Sequence, residues 1–298
     1  MEEFEVAIVG AGPAGLSAAI YTARAGMKTL VLGCDPKVAG NYTIDNYFGF
    51  PDSITGKDLL MRGRQQAERF GAEITCERVL GVYADEGGTF RIKTEQRETR
   101  TCSVILATGV SRVRPGISNI ADFEGKGVSY CVSCDGFFYR GKKVIVLGEG
   151  IYAANQALEL QEYTPDVSIC TQEKPIDMSE EYRSLISRAG IPVLERKISR
   201  LIGENGVESV EFDNRETSPA DGIFIAMGEA SSLDFAYSLG LLTKGVFIEA
   251  DHEQKTNLPG IFAAGDCVGR FLQISVAVGE GAVAGKSAIA HVKHLCRG

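Results

Sequence analysis

The feature that most constrains this chain is a pattern that occurs twice: a short apolar strand, a glycine turn and a helix. The first copy runs from a β-rich segment at 4–9 into Gly10-Ala11-Gly12-Pro13-Ala14-Gly15, then a predicted helix over 16–25 and a strand over 28–32. The three glycines have separate jobs: a tight turn, close approach of backbone to a pyrophosphate, and close helix–strand packing, with the helix N-terminus facing the phosphates. The second copy has a strand over 144–147, then Gly148-Glu149-Gly150-Ile151-Tyr152-Ala153, a helix over 154–162 and a strand over 167–170. One isolated glycine motif is a weak signal. Two copies, each in strand–turn–helix context, predict an α/β chain of two Rossmann-like, three-layer ββα dinucleotide-binding domains.

A length of 298 residues also favours two domains over one core. Two further strands end in glycine turns, at 104–109 and at 222–228. Read as crossings between domains, they place the second module inside the first. One domain then comprises 1–112 and 230–298, and the inserted domain 113–229. The last part holds a strand running into Ala264-Gly265-Asp266 and a predicted helix over 273–295.

Net charge is −8, which argues against nucleic acid or an anionic membrane as the main partner. The acidic start, Met1-Glu2-Glu3-Phe4-Glu5, reads as neither signal nor transit peptide, and no apolar run reaches membrane-spanning length. A soluble cytoplasmic protein is expected.

Of eight cysteines, six are spaced singly and read as small buried hydrophobes or inert thiols; in a reducing compartment a structural disulfide network is not expected. Cys131 and Cys134 form the one Cys-x-x-Cys. Half of a zinc site is one reading, but zinc needs four ligands, and His252, His291 and His294 are all remote in sequence. Redox use suits the spacing better, because two sulfurs so placed can close a small ring. Asp135 suits a proton donor and acceptor for a leaving thiol, and equally a helix N-cap. Of Phe137, Phe138 and Tyr139, at least two are expected in the core.

With these pieces in order, the chain resembles the low-molecular-weight thioredoxin reductase family nearly end to end. The resemblance rests on Gly-x-Gly-Pro-Ala-Gly at 10–15, Ala-Thr-Gly at 107–109, the segment Cys131-Val132-Ser133-Cys134-Asp135-Gly136-Phe137-Phe138-Tyr139, and Ala264-Gly265-Asp266. It implies FAD in the first domain, on Gly10, Gly12, Pro13, Ala14, Gly15, Val79, Thr108, Gly109, Gly265 and Asp266. It puts Asp266 on the ribityl chain, Asn46 near the flavin, Asn41 where a Gln usually stands, and backbone of Gln273 and Ile274 against the ring. Leu272 stands where the family usually has Arg. Cys134 is implied to face the flavin and Cys131 to attack a partner disulfide. A homodimer and rotation of one domain against the other are further implications.

The second module departs from the family. NADPH users place a basic cluster after its second strand, to pair with the 2′-phosphate. Here that stretch reads Cys170-Thr171-Gln172-Glu173-Lys174-Pro175-Ile176-Asp177-Met178, without arginine. Glu149 stands where the pyrophosphate would approach, and Tyr152 is bulky at that turn. The expectation is therefore a donor other than NADPH, either ferredoxin or a second FAD. In the latter case Gly148, Gly150, Tyr152 and Ala153 would form the second nucleotide site, with the Tyr152 ring stacking. Electrons would pass from FAD to Cys131–Cys134 and on to a thioredoxin-like protein. Harmless drift in a working NAD(P)H site, a flavin dithiol oxidase that passes electrons to oxygen, and a redox sensor are the competing readings.

Overall fold

The computed structural model describes residues 2–34, 36, 39, 43–110 and 115–295. The chain divides into two compact units, Met1–Ser111 with Ser231–Gly298, and Arg112–Ala230. In chain order, the first unit begins with β1 (Glu2–Val9), α1 (Pro13–Arg24), β2 (Thr29–Leu32), β3 (Thr43–Ile44), β4 (Ile54–Thr55), α2 (Gly56–Arg69), β5 (Glu73–Thr75), β6 (Val79–Ala84), β7 (Phe90–Thr94) and β8 (Glu98–Leu106). The second unit holds β9 (Val128–Ser129), α3 (Val132–Asp135), β10 (Val144–Leu147), α4 (Ile151–Leu160), β11 (Val167–Cys170), α5 (Glu180–Arg188), β12 (Val193–Leu194), β13 (Ile198–Ile202), β14 (Ser209–Phe212), β15 (Thr217–Pro219) and β16 (Gly222–Ile225). The chain then completes the first unit with α6 (Ser232–Leu239), β17 (Thr243–Lys244), β18 (Phe247–Ile248), β19 (Ile261–Ala263) and α7 (Ile274–Leu295).

Both units share one plan. In the first, β5, β2, β1, β8 and β19 lie parallel, and β7 and β6 extend β8 as an antiparallel arm. In the second, β12-β11-β10-β16-β9 is parallel and β13-β14-β15 is the antiparallel sheet. Strands β2, β10, β16 and β19 are buried without alternation, as in parallel sheets covered on both faces. Val6, Ile8, Leu30, Leu32, Ile105 and Leu106 are fully buried. Each such aliphatic side chain contributes about 1.5–3 kcal/mol of transfer free energy. The α/β, doubled Rossmann-like architecture expected from the glycine turns is present.

Small residues set the closest packing. Helices α1 and α7 meet through Ala14, Ala18, Ala277, Ala284 and Ala288. A Cβ on Gly281 would collide with the Ala14 carbonyl, so only glycine permits that approach. Helix α1 begins at Pro13, three residues before the predicted start, since proline's fixed φ suits the first helical position. No helix among the described residues is long and apolar enough to cross a membrane.

Candidate functional site

In the first unit the carboxyl ends of β1, β8 and β19 carry the glycine turns. Gly10 has φ +115°, and a Cβ there would strike the Ala107 carbonyl, while one on Gly15 would strike the Gly10 carbonyl. The turn therefore excludes any other residue at either place. Gly12 is the N-cap of α1 and offers no side-chain cap, with Pro13 at the first helical position. The end of α1 is thus built as an anion-accepting terminus. Thr108 and Gly109 follow β8, with Gly109 at φ +68°. Thr108 Oγ1 is buried without a hydrogen-bond partner among the described residues, as expected for a group that awaits a ligand.

Gly265, at φ +81°, abuts the first turn of α1, where an added Cβ would stand 2.9 Å from Ala14 Cβ. Its N–H donates to Glu280 Oε2 at 2.8 Å, and Arg270 Nη1 donates to Glu280 Oε1 at 3.3 Å. Glu280 is buried on α7 and thereby fixes the turn that presents Asp266. Asn46 Nδ2 donates to Gln273 Oε1 at 3.1 Å, which joins two of the expected cofactor residues. Ile274 opens α7, and Val79 opens β6 on the antiparallel arm, where it pairs with Thr94. Asn41 lies outside the described residues. The glycine cradle, the orphaned Thr108 hydroxyl and the open helix terminus fit a dinucleotide such as FAD.

In the second unit Cys131 and Cys134 are joined as a disulfide, so their sulfurs serve each other and not a shared metal. Cys131 is buried and is the N-cap of α3, with the Cys134 N–H donating to its Sγ at 3.2 Å; Cys134 is exposed. The cap is thus Cys131 and not Asp135, whose side chain caps no helix. The Asp135 carboxylate instead accepts from Ser129 Oγ at 2.6 Å, and the same Oγ accepts the Cys131 N–H at 3.1 Å. Ser129 is a contact of the cysteine turn that the motif did not reveal.

The aromatic run that follows corrects another expectation. Phe137 and Phe138 are 59% and 66% exposed, and only Tyr139 is buried, edge-on to Phe224 with centroids 5.1 Å apart. The tight 3-10 turn Gly136–Tyr139 cannot aim three successive rings inward. Burial, reinforced by Asp135 and Asp221, pushes the Tyr139 phenol above its ordinary pKa.

The second glycine turn repeats the first: a Cβ on Gly148 would strike the Ala226 carbonyl, as one on Gly10 would strike Ala107. Its interior differs. Glu149 Oε1 pairs with Lys174 Nζ at 2.7 Å, and the Asp177 N–H donates to the Glu149 carbonyl at 2.9 Å. Gly150 also bridges to Asp177, so residues 174–177 pack across the turn. Gln172 and Glu173 carry φ of +56° and +59°, a conformation that costs non-glycine residues about 1–3 kcal/mol each. The Gln172 amide holds this segment, donating to Pro115 O at 2.7 Å and accepting from Ile198 N at 2.6 Å. Tyr152 is buried, so the structure presents no open ring for stacking. Ala153 lies buried on α4 behind the turn.

A further correction concerns the single cysteines. Cys34 and Cys76 are joined as a second disulfide. Cys170 and Cys267 are free and buried, and burial raises both thiols, Cys267 up to about 12.

Two nucleotide-type folds, one bearing a bonded Cys-x-x-Cys, define a thiol–disulfide oxidoreductase. The family described as pyridine nucleotide-disulphide oxidoreductase matches residues 4–281. The chain belongs to that family, and it is a flavoprotein enzyme of thioredoxin reductase-like type. A thioredoxin reductase of Listeria innocua is 33% identical, over 98% of this chain and 95% of that protein. Among solved structures, the atypical thioredoxin reductase TRi of Desulfovibrio vulgaris Hildenborough superposes with a TM-score of 0.97 at 62% identity, covering 98% of this chain and 99% of the other. A ferredoxin-flavin thioredoxin reductase of Clostridium acetobutylicum superposes with a TM-score of 0.73 at 28% identity, covering 100% of both chains.

Proposed function

We propose that this enzyme reduces a thioredoxin-like protein and takes its electrons from a donor other than NADPH. FAD in the first unit, on Gly10, Gly12, Thr108, Gly265 and Asp266, would supply a store for two electrons. Reduction of the Cys131–Cys134 bond takes two electrons and two protons and leaves two thiols. The Cys134 N–H then stabilises a Cys131 thiolate, which attacks the partner disulfide. A mixed disulfide forms and one partner thiolate leaves. Cys134 attacks Cys131, re-forms the internal bond and releases the second partner thiolate. Asp135, held by Ser129, relays the proton. Cys131 is the shielded sulfur in the oxidised state, so its attack requires that reduction uncover it.

The observation that carries the donor assignment is the Glu149–Lys174 pair. A carboxylate within the second glycine turn argues against a pyrophosphate there, and the pair occupies the one cation between 170 and 178. A second FAD needs the same space, which favours a one-electron donor protein of ferredoxin type. The resemblance to the Clostridium protein, whose name includes ferredoxin, supports this choice.

The test is anaerobic: mix the holoenzyme with NADPH or NADH and follow flavin absorbance, then repeat with reduced ferredoxin. Bleaching with ferredoxin alone is expected, and rapid bleaching at micromolar NADPH would sink the donor assignment. The Cys134→Ser protein should trap a thioredoxin as a mixed disulfide; trapping by Cys131→Ser in its place would reverse the two sulfur roles.

A further inference from the structure

The Cys34–Cys76 disulfide belongs to the first unit, whereas the Cys-x-x-Cys belongs to the second. Cys34 stands two residues past the end of β2 and Cys76 directly after β5. These strands pair in parallel with Leu32 opposite Thr75, and the Gly33 N–H donates to the Thr75 carbonyl at 3.2 Å. The sheet itself therefore delivers both cysteines to one edge, with Cα atoms 4.4 Å apart. Cys76 is exposed and Cys34 half-buried, so a solvent-borne reductant reaches the bond.

The same strand ends back the glycine turn. The Gly10 N–H donates to the Leu32 carbonyl at 2.7 Å. Gly33 sits so close that a Cβ on it would stand 3.0 Å from the Ala11 nitrogen. A Cβ on Gly12 would lie 3.8 Å from Pro36 Cβ. The disulfide is thus a covalent staple directly behind the dinucleotide-binding turn.

We propose that Cys34–Cys76 is a second thiol–disulfide exchange site, open to a dithiol reductant, whose oxidation state sets how firmly the Gly10–Gly15 turn holds its nucleotide. A thiolate of the dithiol attacks the exposed Cys76 sulfur and forms a mixed disulfide. Cys34 leaves as a thiolate and takes a proton from water. The second thiol of the dithiol then closes its own disulfide and frees Cys76. Two electrons and two protons pass from the dithiol to the cysteine pair. With the bond closed, the segment between β2 and β5, a sequence separation of 42, is tethered at both ends. With it open, only the short β2–β5 ladder holds those ends together. The effect on nucleotide rests on the reading of this unit as the FAD site; the exchange chemistry does not.

The test uses the holoenzyme under argon, equilibrated with graded ratios of reduced to oxidised dithiothreitol, quenched in acid, alkylated and mapped by peptide mass. FAD retained through repeated ultrafiltration is counted in parallel. Air-oxidised protein should yield Cys34 and Cys76 as one linked peptide that dithiothreitol converts to two alkylated ones. The Cys34→Ser/Cys76→Ser protein should lose FAD about tenfold faster than oxidised wild type, with no further response to dithiothreitol at these positions. Free Cys34 and Cys76 thiols in the oxidised protein would overturn the site, and equal FAD loss in oxidised wild type and variant would overturn the coupling. If the variant does not fold, oxidised against reduced wild type gives the same comparison. A preparation that never held FAD would count against the flavin reading, while the alkylation map would still decide the exchange site.

Discussion

At the scale of the residue, Ser129 does most with least. One hydroxyl ties the Cys131 backbone to the Asp135 carboxylate, so the acid is fixed relative to the cysteine turn it is proposed to serve. Ser129→Ala should lower turnover about tenfold, equivalent to about 1.4 kcal/mol, and shift the pH profile of turnover; Ser129→Thr should restore much of the loss. An unchanged profile would leave Ser129 a packing residue. Nothing in the sequence announces this contact, because it joins residues six apart across a turn whose geometry is set by the fold. Gly10 and Gly15 are the opposite case. Their role was legible, because positive φ at Gly10 and backbone contact at both leave one residue type. Phe137 and Phe138 show where composition misleads: an aromatic pair looks like core until the turn beneath it is known.

At the scale of the element, α7 carries the argument. Its small residues seat it on α1, and its buried Glu280 reaches back to the N–H of Gly265. Glu280→Ala should weaken FAD binding, since a hydrogen bond to a charged group contributes about 1.5–3 kcal/mol. Fluorescence titration of the apoprotein with FAD measures it, and an unaltered dissociation constant would remove Glu280 from the site. The helix expected over 273–295 is present as α7, whereas no helix was expected at α2, whose apolar positions are few: only Gly56 and Ala67 are buried. The Glu149–Lys174 pair was half legible. The wrong charge after Gly148 was plain, but its partner sits 25 positions on, in a loop bent by two left-handed residues.

At the scale of the whole molecule, two glycine turns were enough to read a doubled fold, since each demands a strand before it and a helix after it. The second disulfide was not readable: Cys34 and Cys76 share no local pattern, and only the pairing of β2 with β5 brings them together. Stability should also depend on pH through His291, whose ring packs edge-on against Phe262. Burial holds its pKa below the ordinary value, aided by His294 and opposed by a backbone hydrogen bond involving Cys102. The unfolded chain therefore takes up a proton near pH 6.5 that the folded protein refuses. Stability present above about pH 6.5 is lost as pH falls from there toward the lower folded value. Urea midpoints measured between pH 7.5 and 5.5, each about a unit either side of the unfolded value, should fall, and His291→Gln should flatten the slope.

The order of the segments along the chain also sets a timetable. The first unit is built from residues on both sides of the second, and its sheet lacks β19 until the last part of the chain exists. A ribosome working from the N-terminus therefore releases the whole second unit, with its cysteine pair, before Gly265, Asp266 and α7 emerge. The inserted unit has every strand it needs early. The nucleotide cradle is finished only after the inserted unit, so cofactor loading follows the emergence of Gly265, Asp266 and α7. Until then β8 waits with one neighbour missing, and the Cys131–Cys134 pair is already in place with no flavin to reduce its disulfide.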